Sequence, residues 1–321
     1  MGRCQVCHFG RVCRKHRRYK LVHKHNLKSS MWLNEHIHSA YRPTKLTTRM
    51  CLESIFRWNN ESINIWSHLF GFIYFSFMQF NNHYYRLPSI GATSTDHLFV
   101  FLSVFGSQLC MILSAGYHIF GCISPRIRQS WLRADVFGIS AGLLGMYLGG
   151  IYNSFFCFPE VQKGYLLALL IILFITLYIP ARKDSLTRKF GRTRIGYLHL
   201  TYILITAFGL YPTAHWITLH GGIDNPHVVK WLPNIILLLS LIGMAFIFYA
   251  TLVPERFFPG CFDYVGCSHQ WWHFLVLVAM IFWHETGSEL LTYYYTEDNA
   301  CHFASLHHNP KMNINRTAVA V

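Results

Sequence analysis

The residues best suited to chemistry in this 321-residue chain are histidines with carboxylates nearby. His269-Gln-Trp-Trp-His273 sets two imidazoles four residues apart, so on a helix both fall on one face, one turn apart. Two nitrogen donors on one face suit zinc, which needs at least one more ligand from elsewhere. Soluble zinc proteases carry H-E-x-x-H, in which the glutamate serves as base. Here Gln270 follows the first histidine, so any base must come from another helix. An HxxxH pair alone is weak evidence in a chain with 20 histidines. The other candidates are Ser114-Ala-Gly-Tyr-His118, Arg133-Ala-Asp135 and Glu61-Ser-Ile-Asn64-Ile-Trp66-Ser-His68.

The elements that must position these residues are membrane spans. Hydrophobic residues make up 52% of the chain and charged ones 13%, against about 25% charged in soluble domains. Seven apolar segments run roughly over 63–80, 97–120, 134–157, 164–180, 195–217, 232–253 and 269–293. Each approaches the length of about 20 residues that crosses a bilayer. The fold expected is an all-α membrane protein, a seven-transmembrane helix bundle. Pro180 closes the short fourth segment, and Pro212 and Pro233 are expected to kink later ones. The expected organisation is a basic, Cys/His-containing tail over 1–40, disordered, a membrane domain over 41–295, and a second tail over 296–321. The net charge of +14 invites a nucleic-acid reading. The long apolar stretches between the basic blocks argue against it, and no nucleic-acid partner is expected.

Lysine and arginine then set the orientation. Alternate segments carry 23 on one side and 5 on the other, and the loops between spans alone carry 10 against 3. The positive-inside rule puts the N-terminus in the cytoplasm and the C-terminus in the lumen or outside. That is the reverse of a G-protein-coupled receptor. Residues 1–34 lack an apolar core of the signal-peptide kind, so the first span is expected to act as its own insertion signal. Of two sequons, Asn60 would face the cytosol and Asn315 the lumen. Cys157 and Cys301 fall on the outer side, where a disulfide between them and two free or buried thiols are both open readings.

This orientation brings His118, Asp135, His269 and His273 to the cytoplasmic leaflet, far apart in sequence but at one depth. Three imidazoles and a carboxylate at one depth can assemble a zinc site with room for a water. Taken singly, each has a plainer role. His118 could be interfacial, Asp135 could pair with Arg133 or cap its helix, and Ser114 could bond a carbonyl of its own helix. The shared depth favours a metal. Glu61 and Asn64 sit at the same level, either as helix-terminal charge and cap or as supports hydrogen-bonded to the ligands. His68 could be a polar contact between helices. His199, His215 and His284 read as packing or gating residues.

Glu61…Asn64-Ile-Trp-Ser-His-Leu, Ser114-x3-His118…Asp135-x2-Gly-Ile and His269-x3-His273 together resemble the three signature motifs of the progestin and adipoQ receptor family. That family includes the adiponectin receptors and bacterial haemolysin-III-like proteins. The resemblance covers residues 40–295 or so. Val253-Pro-Glu-Arg-Phe-Phe-Pro-Gly260 and His215-Trp-Ile-Thr-Leu-His-Gly-Gly222 resemble the Golgi-resident type that tethers a Raf kinase. The resemblance implies zinc held by His118, His269 and His273, with Asp135 near a metal-activated water and Ser114 beside it.

Two functions follow from it. One is a receptor-type signalling protein of the Golgi membrane, the plasma membrane being the alternative, that tethers a cytoplasmic kinase of the Raf type. The other is a ceramidase-like, zinc-dependent hydrolase of a membrane lipid amide or ester, with Asp135 and Ser114 as its catalytic residues. Both place membrane lipids among the partners. In the tail, Cys4-x2-Cys7-x5-Cys13-x2-His16 superficially resembles a second zinc module, although its five-residue gap is short. Reversible lipidation, or no role, is the alternative. Nine basic residues within 1–30 favour anionic lipid, each contributing about 1 kcal/mol near the surface.

Overall fold

A computed structural model of the chain describes residues 19–32, 34–181, 195–298 and 300–301. Helices stand at all seven apolar segments. A short helix α1 (Thr48–Glu53) precedes α2 (Ser62–Asn81), α3 (Ser94–Phe120), α4 (Pro125–Ser154) and α5 (Pro159–Ala181). Beyond residue 194 follow α6 (Tyr197–Phe208), α7 (Leu210–Leu219), α8 (Pro226–Thr251) and α9 (Ser268–Thr296). Four of them, α3, α4, α8 and α9, are long and apolar enough to cross a membrane. The shortest of the four has 26 residues, which at 1.5 Å per residue exceeds a hydrocarbon core of about 30 Å.

The outer faces are apolar. Phe70, Ile73 and Phe77 on α2, Phe174 on α5 and Ile247 on α8 are each more than half exposed. In water such a surface would be a liability, whereas lipid accepts it. Inside, small residues bring α3 and α4 together, as membrane helices do in the absence of a hydrophobic drive between them. A Cβ on Gly106 would run into the Ala141 carbonyl oxygen, and one on Gly142 would lie 2.9 Å from Cys110 Cβ.

Caps explain the helix ends. Thr93 and Asp96 form a reciprocal capping box that starts α3. Asp96 also accepts from the Tyr152 and Tyr295 hydroxyls, at 2.7 and 2.6 Å, which ties α3 to α4 and α9. Ser124 accepts from Ile127 N–H and Pro125 follows it, so α4 starts well before the apolar segment at 134. Arg126, Arg128 and Arg133 hide this first stretch from a hydropathy reading. The fifth segment is divided in two at Gly209. Pro180 does not end α5, which runs on to Ala181, where the described residues pause.

Residues 19–32 and 34–47 lie as a strap across the end of the bundle where α3 finishes and α9 begins. Val22 and Tyr41 exchange backbone hydrogen bonds of 2.8 and 3.1 Å. Ile37 and Tyr41 pack against Cys267 and Phe262. Two carboxylates from the segment joining α8 to α9 hold the strap. Asp263 accepts from the backbone N–H groups of His38 and Ser39 and from the Ser39 hydroxyl. Glu255, fully buried, accepts from Asn34 Nδ2 at 2.7 Å, Ser268 N–H at 2.7 Å and the Ser268 hydroxyl. The boundary expected at residue 40 falls inside this packed strap. At the opposite end of the bundle Cys157 and Cys301 form a disulfide. Cys4, Cys7, Cys13, His16 and Asn315 lie outside the described residues.

Candidate metal centre

The cluster is built from the last turn of α3 and the first turns of α9. His118, His269 and His273 each offer a ring nitrogen, all within 4.8 Å of one another, an arrangement that could hold a metal ion. His118 Nε2 is 3.1 Å from His273 Nε2, which is 3.3 Å from His269 Nε2. Nitrogens bound at about 2.0–2.1 Å to one tetrahedral ion lie about 3.3–3.4 Å apart. Two of the three separations are thus close to that spacing, and the third ring nitrogen pair lies within 4.8 Å. Three histidine ligands would leave room for a fourth. His118 and His273 are buried, where unpaired imidazole nitrogens facing each other would be costly without a shared proton or a cation.

Several neighbours fix the rings. Glu61 Oε2 is 2.8 Å from His118 Nδ1 and also accepts from Asn64 Nδ2 at 2.7 Å. Although Glu61 occupies the N-cap of α2, its side chain caps nothing there. A carboxylate on Nδ1 selects the tautomer whose Nε2 lone pair faces the cluster, the usual arrangement behind a metal-bound histidine. His68 stacks on His273 with ring centroids 3.8 Å apart. The stack puts a fourth imidazole beside the cluster, but its nitrogens are not among the convergent ones.

Ser114 and Asp135 stand beside the cluster, not within it. Ser114 lies next to the Asp135 carboxylate, which is half-buried in the third turn of α4 and within electrostatic reach of His118. Asp135 therefore does not cap α4, and among the described residues it forms no ion pair with Arg133. Gln270 turns away and pins the preceding loop, accepting from Gly266 N–H at 2.6 Å and donating to the Tyr264 carbonyl at 2.9 Å. The remaining intramembrane histidines each find a hydroxyl: His199 with Tyr249, His215 with Tyr165, His284 with Ser107.

Arg42 is a residue that sequence patterns do not single out. Its buried guanidinium donates to the carbonyls of His118 and Ile119 and to the Ser54 hydroxyl. A cation on the free carbonyls of a helix C-terminus opposes the negative end of its dipole. Arg42 thus anchors the strap to the very turn that carries His118. Glu255 does the same for α9 through Ser268, next to His269. Neither has a spacing signal, because each acts alone from a loop.

The family model for haemolysin-III-related proteins matches residues 56–284, a span that contains Glu61, Ser114, His118, Asp135, His269 and His273. The chain is 35% identical over 261 residues to progestin and adipoQ receptor family member 3 of Homo sapiens, covering 81% of this chain and 82% of that protein. It is 32% identical over 258 residues to heptahelical transmembrane protein 1 of Arabidopsis thaliana, covering 77% and 74%. To the adiponectin receptor protein of Drosophila melanogaster it is 28% identical over 278 residues, covering 86% and 60%.

Proposed function

The chain belongs to the haemolysin-III-related proteins and, within them, to the progestin and adipoQ receptor family, and from that premise we propose that it is a zinc-binding, receptor-type signalling protein of the Golgi membrane that tethers a Raf-type kinase. In this reading α2, α3, α4, α5, α6 with α7, α8 and α9 make seven crossings. The basic N-terminal side faces the cytoplasm. The Cys157–Cys301 disulfide, at the end of the bundle away from the histidines, suits an oxidising lumen on the other side. The Golgi and the kinase rest on likeness to member 3, with the basic cytoplasmic face as the docking charge.

The observation that carries the metal is the convergence of ring nitrogens from His118, His269 and His273 within 4.8 Å of one another. Histidine nitrogens alone, with no thiolate, suit zinc among the available ions. When bound, zinc would cross-link α3 to α9 and could serve as a Lewis acid at its free corner. Glu61 orients His118 for this, and Arg42 and Glu255 hold the two helix ends in register. Metal analysis of full-length protein purified without chelator tests the reading. About one zinc per chain is expected, falling to near zero in His273→Ala; wild type that carries no transition metal overturns it. Removal of residues 1–60 is expected to abolish co-isolation of the kinase, and unchanged co-isolation would end the tether reading.

A second reading, hydrolysis of a lipid amide or ester, is favoured by the Ser114–Asp135 pair beside the histidine cluster. Asp135 would take or return a proton there, with Ser114 holding its carboxylate in place. The bundle also holds a partly open, mostly apolar cavity of about 90 Å³ bordered by Tyr147, Trp216, Leu238 and Trp283, a lining that suits part of an acyl chain.

A further inference from the structure

Two cysteines near the histidine cluster have no part in the functions above. Cys51 on α1 and Cys122, just past the end of α3, are 71 residues apart in sequence, yet their Sγ atoms lie 3.7 Å apart. Cys51 is fully buried and Cys122 half-buried. Cys122 borders a small cavity that it shares with Arg42, Arg128, Glu61 and His118, whereas Cys51 does not reach it. The pair is thus asymmetric: one thiol borders the cavity, and its neighbour lies behind it.

Their chemistry is asymmetric as well. The Cys51 hydrogen bond and the Arg42 guanidinium draw the Cys122 thiol below its ordinary value, against the pull of burial. The same hydrogen bond, together with burial, pushes the Cys51 thiol up. An attacking thiolate backed by a protonated resolving thiol is the arrangement found in redox-sensing cysteine pairs.

We infer that Cys51 and Cys122 form a redox-active dithiol, which a hydroperoxide oxidises to a disulfide joining α1 to the end of the His118-bearing helix. Cys122 sulfur attacks one peroxide oxygen, the O–O bond breaks, and the other oxygen leaves and is protonated as an alcohol or water. The sulfenic acid so formed is attacked by Cys51 sulfur, which loses its proton as the hydroxyl departs as a second water. Two thiols lose two electrons and the peroxide gains them. The sulfurs need only close from 3.7 Å to about 2.0 Å. The product would lock α1 against the turn one helical turn beyond His118, where Arg42 already caps α3. This inference does not depend on which function the metal serves.

Full-length protein in lipid nanodiscs, exposed to hydrogen peroxide, then denatured in detergent with N-ethylmaleimide so that buried thiols also label, supplies the test by peptide mass spectrometry. The expected result is a Cys51–Cys122 linked peptide, cleaved by dithiothreitol, with loss of maleimide labelling at both residues while exposed Cys261 still labels. In Cys51→Ala, Cys122 is expected to be trapped by dimedone as its sulfenic acid. Oxidation of Cys261 with Cys51 and Cys122 still labelled overturns the inference. So does separate overoxidation of the two thiols with no linked peptide, and wild type alone suffices to show either outcome.

Discussion

Glu61 Oε2 and His118 Nδ1 are 2.8 Å apart, and this contact turns the other nitrogen of His118 toward His273. It joins the start of α2 to the end of α3 through a single carboxylate. Glu61→Gln should therefore keep the fold but weaken zinc binding on the order of 10–100-fold, read by competition with a calibrated chelator. An affinity unchanged from wild type would reduce Glu61 to a helix-end charge.

The two histidines that stack, His68 and His273, are expected to separate in function. His273→Ala should lose the metal and the stability it confers. His68→Ala should keep the metal while lowering the melting temperature, because it removes a buried ring that contributes packing but no donor. Metal content and thermal melting, measured on both variants with and without chelator, distinguish the roles.

Asp135→Ala separates the receptor from the hydrolase. The variant should retain zinc, since Asp135 is not among the convergent donors. If the protein cleaves a lipid amide or ester, turnover should fall on the order of 100-fold or more, as for loss of a positioned acid or base. Kinase co-isolation should remain at the wild-type level in either case.

Much of this was legible in the residues themselves. The apolar runs marked where helices stand, and the shared depth of His118, His269 and His273 followed from lysine and arginine counting. What stayed hidden lies in loops and at helix ends. Glu255 and Asp263 are single carboxylates with no periodic neighbours, so nothing marks them as strap anchors. The start of α4 is hidden by its arginines, whereas the break at Gly209 falls one turn from Pro212, where a kink is expected. Cys51 and Cys122 come together only through the fold of the strap. His68 was visible as a polar residue, but a ring stack has no spacing signature.

The close approach of α3 and α4 predicts a sharp response to one methyl group. Gly106→Ala drives a Cβ into the Ala141 carbonyl, a backbone atom that cannot step aside. A loss of roughly 1–3 kcal/mol is expected, seen as a lower melting temperature in detergent. Gly164→Ala, on α5 with open space around it, is the matched control and should leave melting unchanged.

Glu255→Ala should loosen the strap. It leaves the Ser268 N–H and the Asn34 amide without their partner, a cost of about 1–3 kcal/mol for buried groups. Hydrogen exchange should rise over residues 34–41 and 263–269 while the midpoints of α3 and α4 stay protected. Unchanged exchange in the strap would show that Asp263 alone holds it.

The strap also has a place in time. Asn34 and Ser39 emerge from the ribosome early, but their partners Glu255 and Asp263 lie 221 and 224 residues later. At translation rates of about 5–20 residues per second, the interval is on the order of ten to forty seconds. Through that interval Asn34 and Ser39 have no carboxylate to bind, and the strap can be held only where Arg42 meets the end of α3. The clamp over the histidine cluster can close only after the segment that follows α8 has been made.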